Sequence, residues 1–583
     1  MSLQHHLTGT VDACRRAIEA APNDADAWSE LAHALRQVGR LEEARHAATR
    51  AIENEPGLAS GWFHLGAVQL ALGETNQSIV ANRKAVALDP EFAEAWSNLG
   101  GALGAAGDKT GEIESYRRAL DINPRLAPVW SNLGSALLEI GKVKEAVSAC
   151  THAVELDPVL AAAWNNLGDA LREHGQVEEA VRACERAVQL GPDSAVAWSN
   201  LGGALLERGS LEQSIAALER ALELEPRYAP AILNLGVTYE QRQQDAAAVE
   251  SYRRALEIDP NLAAAGLRLA CMQLAHGNFS DGWAGYEWRL RERGALPGRF
   301  DFTPWAGDAA PGKRLLVWGE QGVGDEIMHS SMIPELVQSR MSITLETDPR
   351  LVTLMARSFP GATVVPRRTP PALDPAAFDC QTPLASLGRQ LRRSYDAFPR
   401  HRGYLKADPA LTESMSARLR RAGSGTAIGI SWISANRNVG AYKSSTLPDW
   451  APVLRMPGFR FVDLQYGDTA RARDEFKLRH GTEITHLDDI DLFHDLEALA
   501  ALCAACDLVI TVSNVTAHMA GALGKPVWLL APVAKGRIWY WFSGRVDSPW
   551  YPSMRLFTQP SPGDWRAVLE RVAEELAVFA GGS

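Results

Sequence analysis

Apolar residues return with helical spacing through the first half of the chain. After Trp96, a leucine, a glycine and a second leucine follow three, four and seven positions later, on one face of a helix. Gly107 ends this segment, and a second apolar stripe runs from Ile113 to a stop before Pro124. The pattern predicts paired amphipathic helices.

This two-helix pattern repeats with a fixed period. Tryptophan returns every 34 residues, and proline keeps the same interval. The positions are Trp28, Trp62, Trp96, Trp130, Trp164 and Trp198, with Pro22, Pro56, Pro90, Pro124, Pro158, Pro192, Pro226 and Pro260. A 34-residue period with a Trp-x-x-Leu-Gly pattern resembles the tetratricopeptide repeat. The resemblance implies an all-α tetratricopeptide superhelix over 1–292, with seven full repeats at about 25–262, a leading helix and a degenerate eighth repeat.

One asparagine keeps the same period, two positions after the tryptophan slot. The series is Asn98, Asn132, Asn166, Asn200 and Asn234, while Glu30 and His64 take this position in the first two repeats. Two residues turn about 200° around a helix, so each amide points away from the packed stripe. A carboxamide both donates and accepts, which suits the backbone of an extended peptide. The ladder resembles that of O-GlcNAc transferase repeats, which implies a protein-acceptor groove; the alternative is a tolerated consensus residue.

Beyond residue 292 the hydrophobic pattern changes from helical stripes to short apolar runs. Residues 293–312 are rich in Gly and Pro and predict a linker. The strand-like runs are 315–318, 343–345, 363–365, 427–432, 459–464, 507–511 and 527–530. Such runs alternating with helical segments are typical of doubly wound parallel sheets. We predict two α/β lobes, 313–400 and 426–583, joined by a linker at 401–425.

Five stretches of these lobes carry a family resemblance. They are GEQGVGDEI (319–327), ISWISANRN with the Lys-Ser that follows it (430–444), LQYGD (464–468), DLVITVSNVTAHMAGALGKPVWLL (507–530) and DSPWYPSMRLF (547–557). Together they are similar to glycosyltransferase family 9, the heptosyltransferase-like group. The resemblance covers about 310–577 and implies an α/β GT-B domain of two Rossmann-like lobes, the first for the acceptor and the second for a nucleotide-sugar. With the repeats, it resembles bacterial fusions that glycosylate proteins, flagellin glycosyltransferases among them.

Composition and charge exclude several other classes. The 583 residues are too many for one hydrophobic core, and 46% hydrophobic with 22% charged residues predicts a folded chain. A net charge of −11 argues against a nucleic-acid partner. Seven scattered cysteines form no disulfide framework, and no apolar run is long enough to span a bilayer. We expect a cytoplasmic protein without a membrane span.

A catalytic base is predicted in the glycine-rich loop of the first lobe. Sugar transfer with inversion needs a base that takes the proton of the acceptor hydroxyl. In family 9 the Asp of this loop is the proposed base, which assigns that role to Asp325 and places Gly322 and Gly324 beside the donor. Glu320 is the second candidate, and the non-catalytic interpretation makes Asp325 a helix cap.

The donor phosphate is predicted at a strand-to-helix turn of the second lobe. Helix N-terminal N–H groups attract phosphate, and hydroxyl and imidazole donors lie on the same turn. In the family this segment holds the donor, which assigns donor binding to Ser513, Asn514, Thr516 and His518. The alternative is that Thr516 caps the helix and His518 is a core histidine.

Further donor contacts are predicted after the first two strands of the second lobe. Lys443 would offset negative charge on the leaving phosphate, unless it is a mobile surface lysine. Trp432 and Ser444 belong to the same segment, and Gln465 is expected near the nucleotide base. Asp489-Ile490-Asp491 has the spacing of a metal clamp from another fold, but an acidic loop before a helix favours capping. We predict no metal and no cofactor besides the nucleotide-sugar cosubstrate.

The leading hypothesis is an inverting, metal-independent protein O-glycosyltransferase acting on Ser or Thr of an acceptor captured by the repeats. The resemblance implies flagellin as the first acceptor to test. It also implies a CMP-activated nonulosonic acid such as pseudaminic acid as donor, with ADP-heptose next. The alternatives are a glycan or lipid acceptor with the repeats used for assembly, and a non-catalytic repeat scaffold.

Overall fold

The computed structural model describes residues 2–291, 300, 302–436 and 439–581. The predicted linker at 293–312 falls partly on 292–299 and 301, which lie outside the described residues, as do 437 and 438 of the ISWISANRN stretch. The chain divides into a first unit, Met1–Thr238, and a second unit, Tyr239–Ser583.

Helices alone make up the regular structure as far as residue 291, as the repeat pattern predicts. They are α1 (Ser2–Ala20), α2 (Ala25–Gln37), α3 (Leu41–Asn54), α4 (Ala59–Ala71), α5 (Thr75–Leu88), α6 (Ala93–Ala105), α7 (Lys109–Ile122), α8 (Ala127–Glu139), α9 (Val143–Leu156), α10 (Ala161–Glu173), α11 (Val177–Leu190), α12 (Ala195–Arg208), α13 (Leu211–Leu224), α14 (Ala229–Gln241), α15 (Asp245–Ile258), α16 (Ala263–Ala275) and α17 (Phe279–Tyr286). From α2 onward they form pairs, and the first helices of the first six pairs carry the periodic tryptophans, whereas α14 and α16 carry Ile232 and Gly266 at that position.

The two periodic residue types of the repeats hydrogen-bond to each other. Each periodic tryptophan donates its indole N–H to the carbonyl of the proline six residues earlier, at 2.8–3.0 Å. The periodic glycine, four residues after the tryptophan, lets the second helix approach. A Cβ built on Gly134 would lie 2.2 Å from the Cys150 sulfur, and one on Gly168 would lie 2.4 Å from that of Cys184. These contacts explain why three residue types keep one period.

Parallel strands appear beyond the helices. They are β1 (Arg314–Trp318), β2 (Ser342–Thr347), β3 (Ala362–Pro366), β4 (Cys380–Pro383), β5 (Thr426–Ser431), β6 (Phe459–Asp463), β7 (Ile484–Thr485), β8 (Leu508–Val512), β9 (Val527–Ala531) and β10 (Met554–Thr558). In the described part of the chain they form two sheets, with the orders β3-β2-β1-β4 and β10-β9-β8-β5-β6-β7. All seven predicted runs are strands, whereas β4, β7 and β10 were not predicted.

The helices of this region connect and cover the strands. They are α18 (Val323–His329), α19 (Ile333–Gln338), α20 (Val352–Ser358), α21 (Gly388–Leu391), α22 (Pro409–Ala422), α23 (Gly440–Lys443), α24 (Ala451–Leu454), α25 (Ala470–His480), α26 (Leu496–Ala505), α27 (Val515–Ala522) and α28 (Trp565–Gly581). Of the helices that the structure describes, none combines the length and apolar character needed to cross a membrane.

The eighth helix pair, which consists of α16 and α17, packs into the core of the first sheet. Trp283 of α17 is 1% exposed and belongs to the same buried cluster as Leu315 of β1 and Met328 of α18. Its indole N–H donates to the Arg392 carbonyl at 2.8 Å. A Cβ on Gly388 would lie 2.3 Å from the Trp283 ring, so that position has room only for glycine. The last repeat helices therefore belong to the fold of the α/β region.

Candidate functional site

A cavity of about 560 Å³ lies at the carboxyl ends of both sheets. In parallel α/β sheets this edge is where ligands bind. The loops that follow five strands line it: 321–325 after β1, Arg350 after β2, 434–436 and Lys443 after β5, Tyr466 after β6, and 513–515 with His518 after β8. Predicted catalytic and donor residues from both lobes thus meet in one cavity.

Three other segments complete the cavity wall, and sequence reasoning missed all of them. One is 492–499, which contributes Leu492, Phe493, Leu496 and Leu499. Leu267 and Cys271 of α16 and Tyr286 of α17 line it from the eighth helix pair. Trp539 and Tyr540 line it from the segment after β9, and the Trp539 ring packs edge-on against Tyr286 at 5.2 Å between ring centroids. The wall is therefore largely aromatic and apolar where the repeats end.

Asp325 lies in the first turn of α18 and lines the cavity. Burial raises the pKa of its carboxyl to about 6, although the Lys443 ammonium and the Gly322 backbone N–H lower it in part. A carboxylate with a pKa near 6 is mainly ionised at neutral pH, yet it is more basic than an exposed aspartate. These are the properties that a general base requires.

Glu320, the second candidate base, is engaged elsewhere. Its two carboxylate oxygens accept from Nη2 and Nε of Arg289 at 2.7 and 2.9 Å, and one also accepts from the Ala385 N–H at 3.3 Å. Its side chain is 6% exposed. Glu320 does not belong to the cavity lining, so its geometry favours a structural role.

Lys443 ends the short helix α23 and is 4% exposed. Burial lowers the pKa of its ammonium to about 8, although the Asp325 carboxylate raises it in part. The lysine is thus neither mobile nor on the surface, in contrast to the alternative interpretation. A buried cation at the cavity wall stabilises an anion bound there.

The N-terminus of α27 faces the cavity. Asn514 caps it, since its amide oxygen accepts from the Ala517 N–H at 3.3 Å. The Asn514 amide nitrogen donates to the Ser431 hydroxyl at 2.7 Å, which fixes the cap to β5. Ser513 lines the cavity beside it and accepts from the Trp541 indole at 2.9 Å. The positive end of a helix dipole is therefore held rigidly against the cavity.

His518 contacts the loop that carries the candidate base. A Cβ built on Gly324 would lie 2.9 Å from Cδ2 of the His518 ring, so α18 and α27 touch at this glycine. The Nδ1 atom lies 2.8 Å from the Tyr551 hydroxyl. Burial first, and then the Lys443 charge, lower the pKa of His518 to about 3. The imidazole is neutral at physiological pH and acts through hydrogen bonding and packing.

The other predicted donor residues lie behind the cavity wall. The Gln465 amide oxygen accepts from the backbone N–H groups of Trp432 and Ile433 at 2.9 and 2.8 Å. The Trp432 ring is buried in the core of the second sheet. Gln465 does not line the cavity, whereas the next residue in the chain, Tyr466, does. Gln465 thus shapes the loop after β5.

Ser444 and Thr516 have comparable supporting positions. The Ser444 hydroxyl accepts from the Ser434 N–H at 2.9 Å and donates to the Gly440 carbonyl at 2.7 Å, so it closes the loop around Lys443. Thr516 is fully buried, and its hydroxyl points to the Leu464 carbonyl at 3.5 Å. Neither side chain lines the cavity.

Arg350 is a cavity residue that the sequence did not reveal. It follows β2, where Asp348 binds two of its guanidinium nitrogens at 2.9 and 3.0 Å. A third nitrogen donates to the Phe493 carbonyl at 3.0 Å, and the guanidinium lies 5.4 Å from the centroid of the Phe493 ring. The Asp348 carboxylate offsets the charge of Arg350.

The asparagine ladder links successive repeats of the first unit. The Asn166 amide donates to the Ser131 hydroxyl at 3.0 Å, and the Asn200 amide donates to the Asn165 amide oxygen at 3.1 Å. Asn132 is exposed, whereas Asn98, Asn166, Asn200 and Asn234 are half-buried. The amides thus follow one line of first helices, and part of their hydrogen-bonding capacity holds neighbouring repeats together.

The Asp489-Ile490-Asp491 triplet is engaged in local contacts. Asp489 pairs with Arg418, and Asp491 accepts from the Phe493 N–H at 2.9 Å and lies 2.7 Å from His494 Nδ1. Within the described residues, no group of three or more His, Cys, Asp or Glu side chains is placed to hold a metal ion.

Comparison with known proteins identifies the repeats. Family models described as tetratricopeptide repeat match residues 13–46, 65–127, 131–195 and 193–261, which confirms that prediction. The chain is similar to Protein FlbA of Caulobacter vibrioides, with 36% identity over 329 residues. That similarity covers 53% of this chain and 54% of FlbA, so the chain spans about half the length of this relative.

Solved structures show a limited likeness. The Cut9–Hcn1 hetero-tetramer of APC/C matches with a TM-score of 0.41 and 19% identity, over 46% of this chain and 52% of that one. YrrB, described as a TPR protein with an unusual peptide-binding site, matches with a TM-score of 0.27 and 24% identity. That match covers 32% of this chain and 96% of YrrB.

Proposed function

We propose that this chain is a GT-B glycosyltransferase that moves a sugar from a nucleotide-sugar onto a Ser or Thr hydroxyl of a protein bound by its repeats. One observation carries the proposal. Asp325, Lys443 and the N-terminus of α27 line the same cavity, at the carboxyl ends of two parallel sheets. A base, a cation and a helix dipole are the groups that transfer from a sugar phosphate needs.

The proposed reaction follows from these positions. The donor phosphate binds against the α27 N-terminus and Lys443. Asp325 accepts the proton of the acceptor hydroxyl while the hydroxyl oxygen bonds to the anomeric carbon. The bond between that carbon and the phosphate oxygen breaks, and the nucleotide leaves with the electron pair. Attack from the face opposite the leaving group inverts the anomeric configuration.

The choice of Asp325 over Glu320 rests on the surroundings of the two carboxylates. Asp325 lines the cavity with a pKa raised to about 6 by burial. Glu320 is neutralised by a bidentate arginine and lies behind the wall. A base must reach the acceptor hydroxyl, and a carboxylate already occupied by a guanidinium cannot take its proton efficiently.

The repeats support a protein as the acceptor. Tetratricopeptide repeats form extended surfaces that bind polypeptides, and the asparagine series supplies amide donors and acceptors along one line. Flagellin is the first acceptor to test, with a CMP-linked nonulosonic acid as donor. The repeats alone would equally serve a scaffold without catalysis, and the cavity chemistry is what favours the enzyme.

Calorimetric titration with CMP-, ADP-, UDP- and GDP-sugars tests the donor site. We expect one nucleotide class to bind, Lys443→Met to weaken its binding, and Asp325→Asn to leave it intact because the base faces the acceptor. Lys406→Met, at an exposed lysine, is the control. Failure of every nucleotide-sugar to bind would overturn the proposal and favour the scaffold.

A further inference from the structure

Arg289 is a buried cation for which the proposed chemistry has no role. It lies in the 3-10 helix Glu287–Arg291 that follows α17, and its side chain is 4% exposed. Its Nε and Nη2 atoms donate to both carboxylate oxygens of Glu320, at 2.9 and 2.7 Å. Nη1 donates to the Tyr286 carbonyl at 2.9 Å, and Nη2 also donates to the Ser386 hydroxyl at 2.7 Å. The guanidinium is therefore fixed on several sides.

Its partner begins the loop that carries the candidate base. Glu320 follows β1 by two residues, and the loop runs on to Asp325 in the first turn of α18. The next residue, Gln321, is also held from the eighth helix pair, because its amide nitrogen donates to the Tyr286 hydroxyl at 3.1 Å. Two consecutive loop residues are thus bound by side chains of 286–289.

The far end of the loop is anchored to the first sheet. Glu326 is 2% exposed and accepts from the Thr347 hydroxyl at 2.6 Å and from the Asp348 N–H at 2.9 Å. Arg367 pairs with its other oxygen. Asp325 therefore lies between two buried carboxylates that are both fixed. Glu326, the next residue, is held by the first sheet, and Glu320, five residues earlier, is held by Arg289.

From this geometry we propose that Arg289 is a positioning residue, which sets the placement of Asp325 by clamping the start of its loop to the eighth helix pair. The inference rests on the role of Asp325 proposed above. A planar guanidinium that binds a carboxylate with two parallel hydrogen bonds fixes both distance and orientation, which a lysine ammonium does not. Since transfer depends on the placement of the base, the last repeat helices become part of the catalytic apparatus.

Hydrogen–deuterium exchange and steady-state kinetics on the full-length protein test this role. In Arg289→Gln we expect faster amide exchange within 319–325 and a kcat lower by about 10²-fold, the cost of a displacement of about 1 Å, at an unchanged donor KM. Arg289→Lys should recover part of the loss. The control is Arg291→Gln in the same 3-10 helix, an exposed arginine 4.6 Å from the Trp288 ring, which should match the wild type.

A second variant separates positioning from folding. Arg289→Gln leaves Glu320 buried without its cation, whereas the double variant with Glu320→Gln removes both of these charges and keeps two hydrogen-bonding amides. In both variants the Glu287 carboxylate, which is 33% exposed, also loses its contact with Arg289. The double variant should fold and still show faster exchange in 319–325, because two amides do not reproduce the bidentate clamp. Wild-type exchange in this loop, or an unchanged kcat per folded molecule, would overturn the proposal. If the wild type transfers no sugar, the proposed function fails, while the exchange data still decide whether Arg289 holds the loop.

Discussion

At the scale of single residues, Asp325 and Lys443 determine the expected pH dependence. The base must be ionised, and burial raises the pKa of Asp325 to about 6. The cation must be protonated, and burial lowers the pKa of Lys443 to about 8. Activity should therefore rise as the pH increases through about 6 and fall above about 8. The measurement is kcat/KM against pH at constant ionic strength.

Lys443→Met distinguishes the two limbs of this profile. The ammonium lowers the pKa of Asp325, so its removal should move the acid limb to higher pH and abolish the basic limb. Lys406→Met should leave both limbs in place. A wild-type profile without an acid limb would contradict the assignment of Asp325 as the base.

Sequence reasoning selected residues that share one cavity, but it did not give the direction of each side chain. Asp325, Lys443, Ser513, Asn514 and His518 line the cavity. Trp432, Ser444, Gln465 and Thr516 belong to the same motifs but lie behind the wall. A motif fixes a position along the chain, whereas the inward or outward direction depends on packing against segments far away in sequence. The aromatic residues that line the cavity gave no signal, because aromatic residues are equally frequent in cores.

At the scale of helices, close packing across each pair explains the periodic glycine. Gly134→Ala would place a Cβ 2.2 Å from the Cys150 sulfur, so we expect a loss of about 1–3 kcal/mol in unfolding free energy. Gly101→Ala is the matched control, since its Cβ would meet nothing closer than 3.8 Å, and there we expect a gain of about 0.5–1 kcal/mol from helix propensity. Urea denaturation measures both. Equal effects would show that packing across the pair does not explain this glycine.

The ladder makes its own prediction at this scale. Replacement of Asn132, Asn166 and Asn200 by Ala removes three amides that would bind an acceptor backbone, each worth about 0.5–1.5 kcal/mol. Affinity for the acceptor should fall by roughly 10- to 2,000-fold, as measured by fluorescence anisotropy. Gln189→Ala, at an exposed position on the second helix α11, is the control. Unchanged affinity in the triple variant would exclude this line of amides as the capture site.

The strands were predicted where the sequence contains an apolar run and missed where it does not. Runs such as Leu508–Val512 are buried at every position, so an apolar run marks them. Cys380–Pro383 has a polar sequence, and Ile484–Thr485 is too short to form a pattern. Both pair with a single neighbouring strand at the edge of a sheet, and such pairing has no local signal.

At the scale of the whole molecule, the eighth helix pair belongs structurally with the sheets. Trp283 and Tyr286 lie in the core of the second unit, and Arg289 holds the loop after β1 through Glu320. A fragment that starts at residue 239 should therefore unfold cooperatively, and one that starts at residue 293 should not, because it exposes the surface that these side chains cover. Near-UV circular dichroism during urea denaturation compares the two. Equal cooperativity would contradict this packing.

The repeat period could not reveal this arrangement. It predicts a helix pair at 263–292, which the structure contains as α16 and α17. An amphipathic pattern identifies the apolar face of a helix but not the element that covers it. Gly266 replaces the periodic tryptophan, and the Trp288 ring packs against it, at 2.6 Å from a Cβ built on Gly266. The glycine in the sequence indicates that the packing changes here, but it does not identify the sheet as the partner.

Mass spectrometry of cellular proteins shows whether this chain transfers a sugar to a protein through Asp325. Cells that lack this protein are compared with cells that carry the wild type or Asp325→Asn. We expect a protein whose mass increases by one or more sugar units only with the wild type, and the increment identifies both the sugar and its target. Identical protein masses in all three, or full modification by Asp325→Asn, would contradict it.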